Sequence, residues 1–129
     1  MKDLVPLPKI IIAGGTGFLG QLLVQSFLKD GYDVVLLSRN IYQTGVLGRL
    51  VKWDGESTGD WIEELEASRA LINLTGRSID CRHTPSNRQE ILDSRIKSTR
   101  VLGEALNHCI KPPTVWLNAS SMALYGQCV

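Results

Sequence analysis

Residues 9–20 read Lys-Ile-Ile-Ile-Ala-Gly-Gly-Thr-Gly-Phe-Leu-Gly, and this stretch decides the fold. Its first five residues form an apolar run rich in isoleucine, which is typical of a strand buried on both faces of a parallel sheet. The glycine cluster that follows leads into a helical pattern of three- and four-residue spacings, marked by Phe18, Leu19, Leu22, Leu23, Phe27 and Leu28. Gly31 suits the position just after a helix end, and Asp33 to Ser38 repeats the buried-strand pattern. The sequence therefore predicts a strand, a helix and a second strand parallel to the first.

Strands and helices continue to alternate along the rest of the chain. We predict a short edge strand at 51–53, a short helix at 61–65, an interior strand at 70–74, a long helix from Thr84-Pro85 to before Pro112, and a last strand at 114–119. One face of the long helix is marked by Leu92, Ile96, Thr99, Leu102 and Leu106. Residues 40–50 fit either a short helix or an irregular connection. The alternation predicts the α/β class, as a doubly wound parallel sheet with strand order 3-2-1-4-5 and a single domain over residues 1–129.

The glycine loop satisfies both the G-x-x-G-x-x-G and the G-x-G-x-x-G spacing. The tight turn after the strand needs a residue without a Cβ, and Gly14 or Gly15 fits this role. A second glycine, Gly17, allows a pyrophosphate to approach the backbone, and a third, Gly20, allows the helix to pack closely on the strand. Strand, loop and helix together are the context of the Rossmann dinucleotide-binding fingerprint. We predict that a pyrophosphate is bound by Gly14, Gly15, Thr16, Gly17, Phe18, Leu19 and Gly20. The alternative is a glycine turn that serves packing only.

The residues after the second strand bear on which nicotinamide dinucleotide is bound. An acidic residue at this position usually binds the ribose hydroxyls of NAD, whereas an arginine favours the 2′-phosphate of NADP. The chain has Ser38 and Arg39 here. Arginine is always charged and suits bidentate contact with phosphate. We therefore predict NADP as the cofactor, with NAD as the alternative, although Arg39 also fits a solvated loop position.

Composition narrows the remaining classes of function. The 129 residues carry a net charge of +1, so nothing indicates a nucleic-acid partner. Apolar runs are too short for a membrane span, and the first residues lack a signal-peptide core, so we expect a cytoplasmic protein. The three cysteines, Cys81, Cys109 and Cys128, are widely spaced and are interpreted as reduced thiols, with no metal site predicted. Self-association as a homo-oligomer is left open.

Further motifs identify a family resemblance that covers nearly the whole chain. Beside the glycine loop and Leu37-Ser38-Arg39, they are Ile72-Asn73-Leu74-Thr75-Gly76, Asp93-Ser94-Arg95-Ile96-Lys97-Ser98-Thr99-Arg100 and Asn118-Ala119-Ser120-Ser121-Met122-Ala123-Leu124-Tyr125-Gly126. With them the chain resembles the extended short-chain dehydrogenase/reductases, and most closely their atypical, sugar-epimerase-like branch.

The resemblance implies roles for individual residues. It places the turn of Asn73, Leu74, Thr75 and Gly76 beside the cofactor ribose, with Thr75 where the family usually has alanine, and it adds Arg95 to the cofactor-binding set. A purely structural turn is the alternative. Ser120 or Ser121 is the serine that orients the substrate alcohol or carbonyl near the nicotinamide, and the choice between them stays open, as does a role of both in capping the strand.

One departure from the family limits the expected activity. The family's chemistry uses a Tyr-x-x-x-Lys pair, in which tyrosine exchanges a proton with the substrate while hydride moves to or from nicotinamide. The only tyrosine near the expected place, Tyr125, is followed four positions later by Val129. We expect the 129 residues to be the cofactor-binding part of an oxidoreductase or epimerase-like enzyme, without the Tyr-Lys helix and the substrate lobe. The alternative is a noncatalytic NADP-binding sensor or interaction module.

Overall fold

The computed structural model describes residues 6–76, 82 and 84–120. In chain order the elements are β1 (Lys9–Ala13), α1 (Phe18–Lys29), β2 (Asp33–Ser38), β3 (Arg49–Lys52), a 3₁₀ helix (Asp60–Leu65), β4 (Ala70–Asn73), α2 (Pro85–His108) and β5 (Val115–Asn118). All neighbouring strands pair in parallel, in the order β3-β2-β1-β4-β5. The predicted fold class and strand order are confirmed.

The core lies on both faces of the sheet because alternate side chains of a strand point to opposite faces. Ile10 and Ile12 of β1 pack on the α1 side, against Val24. Ile11 of β1 packs on the other side, against the 3₁₀ helix and α2. All three isoleucines are at most 3% exposed, as expected for a central strand of a parallel sheet.

The segment between β2 and β3 is an irregular connection. Residues 39–48 contain turns and bends and no helix, which decides between the two alternatives for 40–50. Gly45 and Gly48 have φ of +75° and +98°, values that interrupt a right-handed helix. The strand after this connection begins at Arg49, two residues earlier than the predicted start. Trp53 lies just beyond the strand, with its ring at 5.5 Å from that of Trp61 in an edge-to-face contact.

The two helices bury narrower faces than their apolar spacing indicates. On α1 the fully buried positions are Gly20 and Val24, whereas Phe18 is 86% exposed. On α2 the buried residues are Ser98, Val101, Leu102 and Ala105, whereas Leu92 and Ile96 are exposed. For α2 the reason is its length, because a helix of 24 residues spans about 36 Å, whereas the four-residue strands β4 and β5 span about 13 Å. The amino-terminal half of α2 therefore extends past the sheet.

A group of charges joins the amino ends of the strands. The Arg49 guanidinium donates to both carboxylate oxygens of Glu64, at 2.9 and 3.1 Å, and to Asp33 at 3.1 Å. Lys9 donates to the same Glu64 carboxylate at 3.2 Å. The hydrogen bonds from Arg49, supported by Lys9, hold the pKa of Glu64 below its usual value against the opposing effect of burial. Glu64 thus links β1, β3 and the 3₁₀ helix.

We expect Glu64→Gln to lower the free energy of unfolding by about 1 kcal/mol at pH 7, a value reduced by solvent screening of the half-exposed Arg49. Because the pKa of Glu64 is lower in the folded chain than in the unfolded chain, its contribution is present above about pH 4.3 and is lost as the pH falls below that. The variant should therefore lose less stability on acidification. Urea unfolding from pH 7 to pH 3 measures this, with the exposed neighbour Glu63→Gln as control. Equal pH profiles for Glu64→Gln and the unmodified chain would contradict it.

Candidate functional site

A cleft of about 930 Å³ opens at the carboxyl ends of the central strands. It lies at the end of β1, which pairs with β2 on one side and with β4 on the other. The chain runs from β1 to β2 and β3 on one side, and then crosses to β4 on the other side of β1. Open α/β sheets bind ligands at this switch point. Among the residues predicted to bind a dinucleotide, the cleft is lined by Gly14, Thr16, Gly17, Ser38, Arg39, Leu74, Thr75 and Gly76.

Gly14 forms the tight turn at the end of β1. Its φ is +80°, and a Cβ at this position would lie 2.8 Å from the carbonyl carbon of Leu74 and 2.9 Å from the amide nitrogen of Thr75. Any side chain would therefore both strain the turn and overlap the backbone that follows β4. Of the two candidates for the turn glycine, the structure thus selects Gly14.

Gly15 and Gly20 pack α1 closely against the sheet. A Cβ on Gly20 would lie 2.4 Å from the Cα of Gly15, and a Cβ on Gly15 would lie 2.4 Å from a methyl group of Leu36. Neither glycine lines the cleft. Both glycines allow α1 to begin directly over β1. The amino terminus of α1 therefore points toward the cleft.

Gly17 is different because a side chain there would enter open space. A Cβ on Gly17 would have one neighbour within 4 Å, the carbonyl oxygen of Gly14 at 3.8 Å. Gly17 is also the N-cap of α1, without a side-chain cap, and the first turn carries no acidic residue. The first helical hydrogen bond runs from Gln21 to Gly17, so the amides of residues 18–20 have no partner inside the helix. Free amides and the helix dipole suit this position for an anion.

Phe18 and Leu19, also predicted to belong to the binding loop, place their side chains in solvent. Phe18 is 86% exposed and Leu19 is 56% exposed. Phe18 lines a second groove of about 280 Å³, the outer groove, which runs along α1 and meets the cleft at Thr16 and Gly17. Phe18 and Leu19 could therefore contact an anion at the helix terminus only through their backbone amides.

The segment after β2 is held in shape by its own side chains. The hydroxyl of Ser38 accepts from the amide of Asn40 at 3.2 Å and donates to the Asn40 carbonyl at 3.1 Å. The ammonium of Lys52, at the end of β3, donates to the carbonyl of Arg39. Among the described residues no carboxylate pairs with the Arg39 guanidinium, which lies exposed at the edge of the cleft. Ser38 thus shapes the loop, and the charge of Arg39 remains available.

Asn73 uses its side chain inside the protein. It is 5% exposed; its Oδ1 accepts from the amide of Thr75 at 3.0 Å, and its Nδ2 donates to the hydroxyl of Thr99 at 3.4 Å. These bonds fix the turn that follows β4 and tie it to α2. Within the described residues Asn73 does not line the cleft, and its neighbours Leu74 and Thr75 do.

Among the described residues, the hydroxyl of Thr75 is buried and has no hydrogen-bond partner. Its Oγ1 has essentially no solvent-accessible surface, and nothing in the described part of the chain hydrogen-bonds it. An unsatisfied buried hydroxyl costs about 1 to 3 kcal/mol, and this one belongs to a residue of the cleft wall. Such an atom fits a wall that a polar ligand completes.

The protruding half of α2 forms the wall opposite the glycine loop. Asp93, Ser94 and Lys97 line the cleft, and Lys97 pairs with Glu56 at 3.3 Å across it. Arg95 does not line the cleft, but its guanidinium lies against Gly76. A Cβ added to Gly76 would lie 3.1 Å from the guanidinium carbon of Arg95. Sequence reasoning identified Arg95 but not Lys97 or Glu56, because the ion pair joins residues 41 positions apart.

Asp54 is another cleft residue that sequence reasoning did not select. Its carboxylate accepts from the hydroxyl of Ser57 and from the amides of Ser57 and Glu56, both at 2.8 Å. These hydrogen bonds lower the pKa of Asp54 to about 2, with the Ser57 hydroxyl as the largest cause. Asp54 is therefore a carboxylate at any physiological pH. Its position two residues after the end of β3, at the carboxyl edge of the sheet, is the signal that would have found it.

Ser120 follows the end of β5. The amide of Ala119 donates to the carbonyl of Asn73 at 2.9 Å, so the next residue, Ser120, is exposed at the carboxyl edge of the sheet. Four other residues named from the sequence lie outside the described residues: Cys81, Ser121, Tyr125 and Cys128. Within the described ranges, no helix is both long and apolar enough to cross a lipid bilayer.

Comparison with known proteins places this geometry in a family context. The epimerase family protein YfhF of Bacillus subtilis is 36% identical over 118 residues, which are 91% of this chain and 39% of that protein. The chain therefore spans about two fifths of the length of the curated relatives it matches.

Two solved structures share the fold and more than a quarter of the sequence. The crystal structure of human epimerase family protein SDR39U1 with NADPH has a TM-score of 0.75 at 28% identity, and covers 93% of this chain and 39% of that one. UDP-N-acetylglucosamine 4-epimerase from Bacillus cereus has a TM-score of 0.67 at 28% identity, and covers 93% and 37%. The model of the NAD dependent epimerase/dehydratase family matches residues 10–129, and the chain belongs to that family.

Proposed function

We propose that residues 1–129 form the nicotinamide dinucleotide-binding domain of an oxidoreductase or epimerase-like enzyme, with NADP(H) as the preferred cofactor. The observation that carries this proposal is the open space at Gly17, where the free amides of α1 meet a cleft at the switch point of the sheet. The pyrophosphate is held by the backbone of the loop from Gly14 to Gly20. The human relative solved with NADPH supports the same assignment.

The preference for NADP(H) rests on Arg39. Its guanidinium lies at the cleft edge without a carboxylate partner in the described part of the chain, and Ser38 and Lys52 hold the backbone on either side of it. A 2′-phosphate there gains a charge-assisted contact that a ribose hydroxyl does not. NAD(H) binds the same loop through its pyrophosphate, with lower affinity.

The chemistry proposed for the whole enzyme is hydride transfer on an alcohol or carbonyl substrate. When bound, the nicotinamide supplies the hydride donor or acceptor. In this chain the Asn73 side chain holds the turn of Leu74 to Gly76 beside the ribose, and Ser120 or Ser121 orients the reacting oxygen. Arg95, which lies against Gly76, completes the cofactor-binding set.

The 129-residue chain is expected to bind NADPH more tightly than NADH and to show no appreciable turnover. Residues 1–129 contain no Tyr-x-x-x-Lys, and a serine hydroxyl is a poor proton donor near neutral pH. General acid–base assistance is typically worth about 10² to 10⁴ in rate. Calorimetry with both cofactors tests binding, and NADPH oxidation against ketones, quinones and nucleotide sugars tests turnover. Absence of binding would overturn the function, and saturable turnover lost in Ser120→Ala or Ser121→Ala would place the proton relay within these residues.

Thr75→Val is expected to affect stability and binding in opposite directions. Without ligand the Thr75 hydroxyl has no partner in the described chain, so the free energy of unfolding should stay the same or rise by up to about 1 kcal/mol. If the dinucleotide satisfies that hydroxyl, NADPH affinity should fall about three- to tenfold. Thr99→Val is the matched control, because its hydroxyl accepts from Asn73 and its loss should cost stability. Unchanged NADPH affinity in the Thr75→Val chain would show that the Thr75 hydroxyl does not contact the cofactor.

A further inference from the structure

The side chain of Gln21 connects two segments that border the cleft. Its Nε2 donates to the carbonyl of Gly15 at 2.9 Å and to the carbonyl of Leu47 at 3.2 Å, while its Oε1 accepts from the amide of Leu47 at 2.8 Å. The amide group thus pairs with Leu47 through both of its ends. It also reaches back to the glycine loop from the first turn of α1.

Hydrogen bonds of Ser38, Asn40 and Lys52 hold the start of the segment, at residues 39–42, and Gln21 holds its other end at Leu47. Residues 39–45 and Leu47 are exposed and lie outside any helix or strand. Yet this segment contributes Asn40 and Gln43 to the wall of the cleft, directly after Arg39. Within the described residues, the hydrogen bonds of Gln21 are the only ones that join residues 41–48 to the glycine loop, so they fix the distance between the two segments at Leu47.

The glycine loop itself does not depend on Gln21 in the same way. Gly15 is held by its close contacts with Leu36 and Gly20, and Gly14 by its contact with the backbone of Leu74. Loss of the Gln21 amide should therefore leave the pyrophosphate position in place and release the wall beyond Arg39.

We propose that Gln21 is a positioning residue that sets the preference for NADP(H) by holding residues 40–48 against the glycine loop, an inference that rests on the dinucleotide-binding function proposed above. Asn40 and Gln43 of this segment line the cleft together with Arg39, where the 2′-phosphate is proposed to bind, whereas contacts to the pyrophosphate come from the loop and from the amino terminus of α1. Removing the amide should therefore weaken binding of NADP⁺ more than binding of NAD⁺.

Gln21→Met tests the proposal because methionine keeps the length and the helix propensity of glutamine and forms none of the three bonds. Calorimetry should show the Kd of NADP⁺ raised about tenfold and that of NAD⁺ raised less than about threefold. Hydrogen exchange at the Leu47 amide should accelerate. Gln25→Met is the matched control: Gln25 lies one turn further along α1 and lines the same outer groove. It should change neither Kd.

The outcomes separate this inference from the function on which it rests. If the unmodified chain binds neither dinucleotide, the proposed function fails. If it binds NADP⁺ and Gln21→Met leaves the ratio of the two Kd values unchanged, the positioning role is overturned, whether or not the melting temperature falls. Gln21→Asn, whose shorter side chain cannot span both segments, provides a second variant and should reproduce the loss of preference.

Discussion

Gly17→Val is expected to abolish NADPH binding while leaving the fold intact. The position lies at the amino terminus of α1, and a Cβ there meets only the Gly14 carbonyl oxygen, at 3.8 Å. Its φ of −77° and ψ of −178° are extended values that valine adopts without strain. The added side chain therefore occupies the space proposed for the pyrophosphate and not space used by the protein. We expect the Kd of NADPH to rise more than about 100-fold, a loss of about 2.7 kcal/mol or more.

Stability measurements distinguish this effect from unfolding. Valine is a poorer N-cap than glycine, so the free energy of unfolding should fall by about 1 kcal/mol. Gly20→Ala is the contrasting variant, because its Cβ would overlap the Cα of Gly15 at 2.4 Å and force α1 away from β1. It should lose much more stability than Gly17→Val. A folded Gly17→Val chain with unchanged NADPH affinity, measured by calorimetry, would show that the pyrophosphate does not lie at this loop.

Arg39→Ala is expected to remove most of the preference for NADPH over NADH. A charge-assisted contact with the 2′-phosphate is worth about 1.5 to 3 kcal/mol, so the Kd of NADPH should rise about 10- to 100-fold. The Kd of NADH, which has no 2′-phosphate, should change less than about twofold. Arg69→Ala is a matched control, because Arg69 is an exposed arginine that precedes β4, at the opposite edge of the sheet.

The salt dependence of binding gives a second measure of the same contact. The affinity of NADPH should fall more steeply with ionic strength in the unmodified chain than in Arg39→Ala, because an exposed charge pair is screened by salt. If Arg39→Ala weakens both cofactors equally, or neither, Arg39 is a surface residue and the cofactor preference must come from elsewhere in the cleft.

Local sequence patterns were sufficient for the elements that border the glycine loop. The structure places β1 at Lys9–Ala13 and β2 at Asp33–Ser38, the limits predicted from their apolar runs. Thr84 caps α2 by accepting from the Asn87 amide at 3.1 Å, as its position before Pro85 indicates. Gly31 has φ of +89° directly after α1. These features depend on residues within about four positions of each other, so the sequence pattern contains all the information they need.

Which residues face the cleft was decided only by the tertiary structure. Asn73 and Ser38 belong to sequence motifs, yet their side chains bond within the protein and shape the turns beside the cleft. Lys97 lines the cleft and pairs with Glu56, 41 positions away, and Gln21 bonds to Leu47, 26 positions away, in the segment that contributes Asn40 and Gln43 to the cleft wall.

By itself, then, the sequence determined the order of strands and helices, the glycine loop and the position of Arg39, since each follows from local spacing and from the rules of parallel sheets. The tertiary structure decided the course of residues 39–48, the exposure of Leu92 and Ile96 on α2, and the choice of Gly14 as the turn glycine. These depend on distances between segments far apart in the chain. One example is the 2.8 Å that would separate a Cβ added to Gly14 from the carbonyl carbon of Leu74. No local sequence pattern contains such distances.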